Sequence, residues 1–330
     1  MTYTAGSLIL ADDYNGFVST NVGANVNDIW GTGATDKGYG QTALSTVAAP
    51  GTITATQWAT LVNTISSMAS HQGTSITSRV APVAGNTINI LSNLATDLTT
   101  LTTNRGNAAG VGSEIVAWSG STAKTTATGS GSTPWTITFT HTITWASANA
   151  ARWWFNAGGR IRIRFQKTST GTVADPEWND LANTLTGQIY ITGGTATQTI
   201  AGSSYTGTTK VGGTGTPNTL ATTTGWYDLT TGDTLLYRQY ADTAPYTGQY
   251  IAVNAKTAGT GTQLVLTTTW VDPGGGVAGA PDNITGGTDT TSPFGGTFGT
   301  APCTLVTASP PSSTYLTANW GTPTIAATVA

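Results

Sequence analysis

The clearest pattern in the chain runs from Trp135 to Trp145, where Trp135, Ile137, Phe139, His141, Ile143 and Trp145 alternate with threonines. Strict period-two alternation over that length predicts a long, half-buried antiparallel strand. Upstream the period is different. Trp58, Leu61, Val62, Ile65 and Met68 recur at three and four residues, which predicts a helix over Thr54–Ser70. Thr54 and Gln57 make a capping box at its start, and Gly73 supplies the stop. A second helix is predicted over Asn86–Arg105. There Leu91, Leu94, Leu98 and Leu101 follow heptad spacing, and Ile88 extends their face by a turn. The opposite face is Thr, Asn and Ser, so this helix needs a partner surface. Two surfaces fit: other copies of the same helix, or the chain's own sheet.

Further along, Arg152-Trp-Trp-Phe155 reads as a strand, Asn156–Gly159 as a tight turn, and Arg160–Phe165 as the return strand. Ile161, Ile163 and Phe165 then point inward, and Arg160, Arg162 and Arg164 outward. More strands are predicted over Gln188–Thr192, Thr234–Tyr240, Gln249–Ala255 and Gln263–Val271. A short helix is predicted over Pro176–Leu185, with Asp175 as its N-cap. Residues 120–133 and 271–300 are expected to hold little regular structure. No internal repeat of fixed period stands out. The expected architecture is mainly β in three parts. Residues 1–52 form an N-terminal attachment arm or a small β region. Residues 53–112 form a helical neck with a short coiled-coil-like segment. Residues 113–330 form an antiparallel β-sandwich, jelly-roll-like, with long Gly/Thr/Pro-rich loops.

Composition narrows the class. Only 8% of residues are charged, and glutamate occurs only at Glu114 and Glu177, so helix formers are scarce and β-branched residues dominate. The 11 Trp, 11 Tyr and 6 Phe supply enough apolar area to argue against disorder of the whole chain. A net charge of −3 leaves no electrostatic footprint for nucleic acid. Cys303 is the single cysteine, so no intrachain disulfide framework is expected. Neither a signal peptide at Met1–Leu10 nor a membrane-spanning apolar run is visible, which predicts a chain made and folded in the cytoplasm without membrane insertion. So little charge suits a protein whose surface is covered by neighbours in a large assembly.

Three blocks carry a resemblance. Ala151-Arg-Trp-Trp-Phe-Asn-Ala-Gly-Gly-Arg-Ile-Arg-Ile-Arg-Phe165, then Glu177-Trp-Asn-Asp-Leu181, resemble a module of virion structural proteins of tailed bacteriophages, cyanophage and marine phage types above all. Ile53-Thr-Ala-Thr-Gln-Trp-Ala-Thr-Leu-Val62, ending near His71-Gln72, is similar to their N-terminal segment. The blocks cover about a quarter of the chain, and their combination is more specific than any one of them. That family usually has an acidic residue in the return strand, where this chain has arginine. The resemblance implies a virion part, a fibre or adaptor attached to the tail, baseplate or neck, and no catalytic residues. A homotrimer is expected, with Ile88, Leu91, Leu94, Leu98 and Leu101 as the seam of its neck, and other tail, baseplate or neck proteins as partners.

Candidate chemistry is sparse. Of the two histidines, His71 ends a helix, where a cation suits the dipole, and His141 sits on an aromatic strand face. His141 reads as a core or interface histidine, with a histidine ring around a trimer axis as the sharper alternative. No zinc spacing, nucleophile elbow or phosphate loop is present, and no cofactor is expected. The competing function is a receptor-binding tail protein that binds or cleaves host polysaccharide. Cleavage needs two carboxylates flanking a bond, and Glu114, Asp175, Glu177, Asp180, Asp228, Asp233 and Asp272 are the candidates. Trp226, Tyr227, Tyr237, Tyr240, Tyr246 and Tyr250 suit either sugar stacking or a subunit interface. The Arg160/Arg162/Arg164 row is either a solvated face or a dock for an acidic partner protein.

Overall fold

The structure is a computed structural model that describes residues 10–20, 24–48, 51–85, 93–107, 115–116, 134–167, 175–200, 202–274 and 302–330. Ile88, Leu91, Glu114, residues 120–133 and most of 271–300 lie outside them. The chain is mainly β, in antiparallel sheets. Its helices are α1 (Ala11–Asn15), α2 (Val26–Ile29), α3 (Ala55–Gln72), α4 (Leu94–Thr103), α5 (Ala148–Asn156) and α6 (Asp175–Asp180). The strands are β1 (Ile115–Val116), β2 (Trp135–Thr144), β3 (Arg160–Gln166), β4 (Gln188–Ile191), β5 (Gln198–Ile200), β6 (Ser203–Tyr205) and β7 (Thr209–Val211). They continue with β8 (Thr219–Leu220), β9 (Thr234–Tyr240), β10 (Tyr250–Ala258), β11 (Gln263–Asp272), β12 (Cys303–Ser309) and β13 (Thr324–Val329).

One sheet has five strands in the order β1-β12-β3-β4-β7, and a second has six in the order β13-β2-β11-β10-β9-β8. β5 and β6 form a separate hairpin. β2 behaves as its alternation demands: Ile137, Phe139, His141 and Ile143 are buried. The inner faces of the two sheets touch through rings. Phe165 of β3 lies 6.5 Å from Trp270 of β11 and 6.3 Å from Tyr237 of β9, centroid to centroid. Trp178 of α6 stacks on Trp270 at 5.7 Å. β12 is buried along its whole length, so it lacks the alternation that marks a half-solvated strand.

Helix α3 starts and stops as its sequence predicts. Thr54 Oγ1 accepts from Gln57 N–H at 3.2 Å, Gln57 Oε1 accepts from Thr54 N–H at 2.8 Å, and Gly73 adopts φ 63°. Its apolar face is covered by the N-terminal segment, with Tyr14 and Phe17 against Trp58 at 5.3 and 6.4 Å.

For residues 1–52 the small β region is corrected. Their described part contains no strand; it is two short helices and irregular chain folded onto α3. Amide side chains replace a strand ladder there. Asn15 brackets Val47 with bonds of 2.9 and 2.8 Å, and Asn27 brackets Leu44 with 2.9 and 2.8 Å. Gln41 does the same for Thr317, at 2.8 and 2.9 Å, tying the segment to the C-terminal region. Irregular backbone can be buried only when its N–H and C=O groups find partners, and these three side chains provide them.

The seam of the neck is corrected too. Of the predicted helix Asn86–Arg105, residues 86–92 lie outside the described residues, and α4 follows Asn93 in a left-handed conformation (φ 60°). Leu94, Leu98 and Leu101 are fully buried in the single chain, in the same core cluster as Trp58, Leu61 and Ile65 of α3. The leucine face is thus spent inside the protomer, and these three side chains cannot form a seam between copies.

The third correction concerns Arg152–Phe155, which is helix α5 rather than a strand. Ser147 Oγ caps the Ala150 N–H at 3.0 Å. Ala150, Ala151, Trp154 and Phe155 are buried, which is helical spacing. A buried face at that period outweighs the strand preference of three consecutive aromatics. Gly158 (φ 94°) turns the chain into β3, and any Cβ on Gly159 would overlap the Trp154 indole.

Candidate functional site

The candidate residues that the structure describes divide by their surroundings. Arg160, Arg162 and Arg164 lie on the outer face of β3 and are half-buried. Arg160 sits over the Tyr190 ring at 5.6 Å and donates to Thr199 O at 3.3 Å, on the β5–β6 hairpin. The row is therefore partly covered by the chain itself rather than being a bare solvated strip.

The aromatic candidates divide. Trp226, Tyr237 and Tyr246 are buried. Trp226 stacks on Phe155 at 5.1 Å and 16°, and Tyr237 packs between the sheets, so neither offers a face to a sugar. Tyr227 is half-buried, and its hydroxyl donates to Asn156 Oδ1 at 2.6 Å. Asn156 Nδ2 in turn donates to Lys37 O at 2.8 Å and Gly38 O at 3.1 Å. The asparagine of the Phe155-Asn-Ala-Gly-Gly159 segment is thus a knot between α5, the 226–228 turn and the N-terminal loop. Only Tyr240 and Tyr250 stay together on an outer face, 5.1 Å apart, with the Arg238 guanidinium 4.9 Å from the Tyr250 ring. Arg238 was findable in the sequence, because it sits two residues before Tyr240 on the same strand face.

The histidines are internal. His71 is buried, and its Nε2 lies 2.8 Å from Ala157 O, which joins α3 to the end of α5. Burial lowers its pKa, partly offset by that carbonyl; it is no surface cation on a helix dipole. His141 is 1% exposed inside the chain's own core, which takes it away from any axis between copies. Burial pushes its pKa down to about 4, against a smaller opposing effect from the Thr304 backbone. A depressed histidine contributes stability that is complete above the unfolded value of about 6.5 and is lost as pH falls towards the folded value. His141 alone is expected to remove about 2 kcal/mol of stability between about pH 7.5 and 5. Urea denaturation at the two pH values checks this, and His141→Gln, which keeps a donor, should flatten the dependence.

The carboxylates mostly serve locally. Asp228 Oδ2 accepts from Gly225 N–H at 2.8 Å, Asp233 pairs with Lys256 at 3.3 Å, and buried Asp272 accepts from Gln249 Nε2 at 2.9 Å. Three others converge. Glu177 and Asp180 on α6 meet Asp242, in the loop between β9 and β10, with one oxygen of each within 4.8 Å of the others. Glu177 is buried, and its pKa is raised first by burial, then by Asp180 and Asp242, with Thr243 hydrogen bonds opposing. Asp242 had no sequence signal, because a loop carboxylate becomes informative only when the fold brings others to it.

A separate open groove of about 570 Å³ lies between the N-terminal segment and the start of α3. It is lined by Trp30, Thr42, Leu44, Thr54, Gln57 and Thr60 among others, with no charged side chain. The Trp30 indole is half-buried and donates from Nε1 to Thr42 O at 3.0 Å, which fixes its plane. Among the described residues, no helix is long and apolar enough to cross a membrane. No protein-family model matches the chain, and neither a curated protein nor a solved structure matches it.

Proposed function

We propose that this chain is a structural subunit of a bacteriophage virion, a fibre or adaptor part of the tail, baseplate or neck that works through protein–protein assembly. Its two sheets are read as a jelly-roll-like sandwich closed by the Phe165, Tyr237 and Trp270 rings. The observation that carries the assembly reading is the edge strand β13. Among the described residues β13 has one neighbour, β2. Its sequence, Thr-Ile-Ala-Ala-Thr-Val, holds no charge and no proline, and its side chains are exposed or half-exposed. Soluble proteins that stay single protect such edges with lysine, proline or a bulge. An unprotected one suits strand addition by a neighbouring subunit. Two of the resemblance blocks, the one ending near His71-Gln72 and the one containing Phe155-Asn-Ala-Gly-Gly159, touch through the His71–Ala157 bond.

The purified chain is expected to form a defined oligomer, a homotrimer in this reading, built through surfaces other than the α4 leucines. Placing a lysine on the edge with Ala326→Lys should leave folding stability within about 0.5 kcal/mol and shift the mass towards monomer in light scattering. A monomeric wild-type chain at micromolar concentration would count against an assembly role. Antibody labelling of virions in electron micrographs then locates the subunit. The second reading, binding of host surface glycan, is favoured by the uncharged Trp30 groove, which combines an aromatic plane with threonine hydroxyls. New reducing ends released from host polysaccharide would replace the structural reading with an enzymatic one.

A further inference from the structure

The carboxylates gathered beside the β9–β10 loop play no part in the assembly reading. Glu177 is 7% exposed. Thr243, whose hydroxyl donates to Asp242 Oδ1 at 3.3 Å, lies beside the Glu177 carboxylate, yet Glu177 Oε1 is buried without a hydrogen-bond partner. A carboxylate oxygen can only accept, so a buried one without a donor calls for a cation or a proton. Asp180 is half-buried and Asp242 exposed, and an oxygen from each lies within 4.8 Å of the Glu177 oxygen. Among the described residues, none of the three is ion-paired to a lysine, arginine or histidine.

We infer that Glu177, Asp180 and Asp242 together bind one divalent cation of the calcium type. A hard cation takes oxygen ligands, and calcium–oxygen bonds of about 2.3–2.6 Å put opposed ligands roughly 4.6–5.2 Å apart. Three oxygens within 4.8 Å of one another fit inside that sphere. Magnesium, at about 2.0–2.1 Å, requires a tighter set, and zinc favours nitrogen and sulfur ligands. Water completes the shell on the open Asp242 side. The ion would neutralise like charges that now face one another, and it would pin α6 to the β9–β10 hairpin. This inference does not depend on the assembly reading.

The test uses the full chain after treatment with EDTA. Terbium, a luminescent calcium substitute, is titrated with excitation of tryptophan; Trp178 is the neighbour of Glu177 in sequence and lies 5.1 Å from Trp135. Sensitised emission that calcium displaces is expected. Millimolar calcium should raise the melting temperature by about 3–6 °C over EDTA, and magnesium by less. Asp242→Asn should abolish the emission and the calcium shift. Its melting temperature in EDTA should equal or exceed that of wild type, because a repelling charge is gone. Asp233→Asn, away from the cluster, should retain both responses. A wild-type protein with no sensitised emission and one melting temperature in calcium and EDTA overturns the inference, as does an Asp242→Asn variant that keeps the calcium shift.

Discussion

Replacing Trp270 with alanine is expected to cost about 3–5 kcal/mol of folding stability, the range for emptying a large aromatic site in a core. Trp270 is fully buried on β11, between β2 and β10. Its ring meets Trp178 at 5.7 Å, Phe139 at 6.4 Å and Phe165 at 6.5 Å, and its Nε1 donates to Thr304 Oγ1 at 3.4 Å. One side chain thus touches both sheets and α6. Those partners sit on paired strands and a helix, so they have little freedom to close the void, and the cavity cost adds to the lost burial. The urea midpoint should fall with the slope unchanged. Trp270→Phe should recover part of the loss, short of the contribution of the Thr304 hydrogen bond. A loss below about 1 kcal/mol for Trp270→Ala would mean that the sheets are held together elsewhere.

Arg79→Ala is expected to have an effect of similar size by another mechanism. Asp97, on the inner side of α4, is 7% exposed and accepts from Thr77 N–H at 3.2 Å. Arg79 Nη2 reaches it at 2.5 Å, with side chains only 5% and 10% exposed. Breaking a buried pair by removing one partner leaves an uncompensated charge and costs about 3–5 kcal/mol. Removing both, as in Arg79→Met with Asp97→Leu, should cost far less, because the desolvation of two ions is also removed. A double-mutant cycle in denaturant measures the difference. Equal losses for the single and double variants would show that packing of the arginine stem, not the charge pair, holds α4. Hydrogen exchange along residues 94–103 should rise in the single variant.

Long elements with an unbroken period were legible. β2, β9 and β11 fall within a residue or so of their predicted limits because each carries one buried and one wetter face. α3 was legible for a second reason: its start and stop are local chemistry, Thr54 with Gln57 and then Gly73. β12 escaped notice because burial on both faces erases alternation. Residues 152–155 misled because three aromatics favour a strand locally, whereas Ser147 and the buried Ala150/Trp154 face made a helix.

The candidate site was far less legible. Glu177 and Asp180 are visible as neighbours on a short helix, but Asp242 joins them only through the packing of the β9–β10 loop against α6. The aromatic list illustrates the same limit. Tyr237 and Tyr240 lie on one strand with similar surroundings in sequence, yet one is fully buried and the other half-exposed. Odd and even positions of a strand face opposite ways, and which of the two is inside depends on where the second sheet lies.

By itself, then, the sequence determined a β-rich chain, the strand and helix periods and the capped helix α3. These follow from side-chain spacing and from local hydrogen bonds, which a short segment carries with it. Tertiary structure decided which surfaces are used up. It spent Leu94, Leu98 and Leu101 on the protomer's own core, buried both histidines, covered part of the arginine row and brought distant Asp242 to Glu177 and Asp180. Among the described residues it also left uncharged β13 paired on one side only. An apolar face states only that it must be buried; the partner is chosen by contacts between residues far apart in the chain, and no local pattern encodes them.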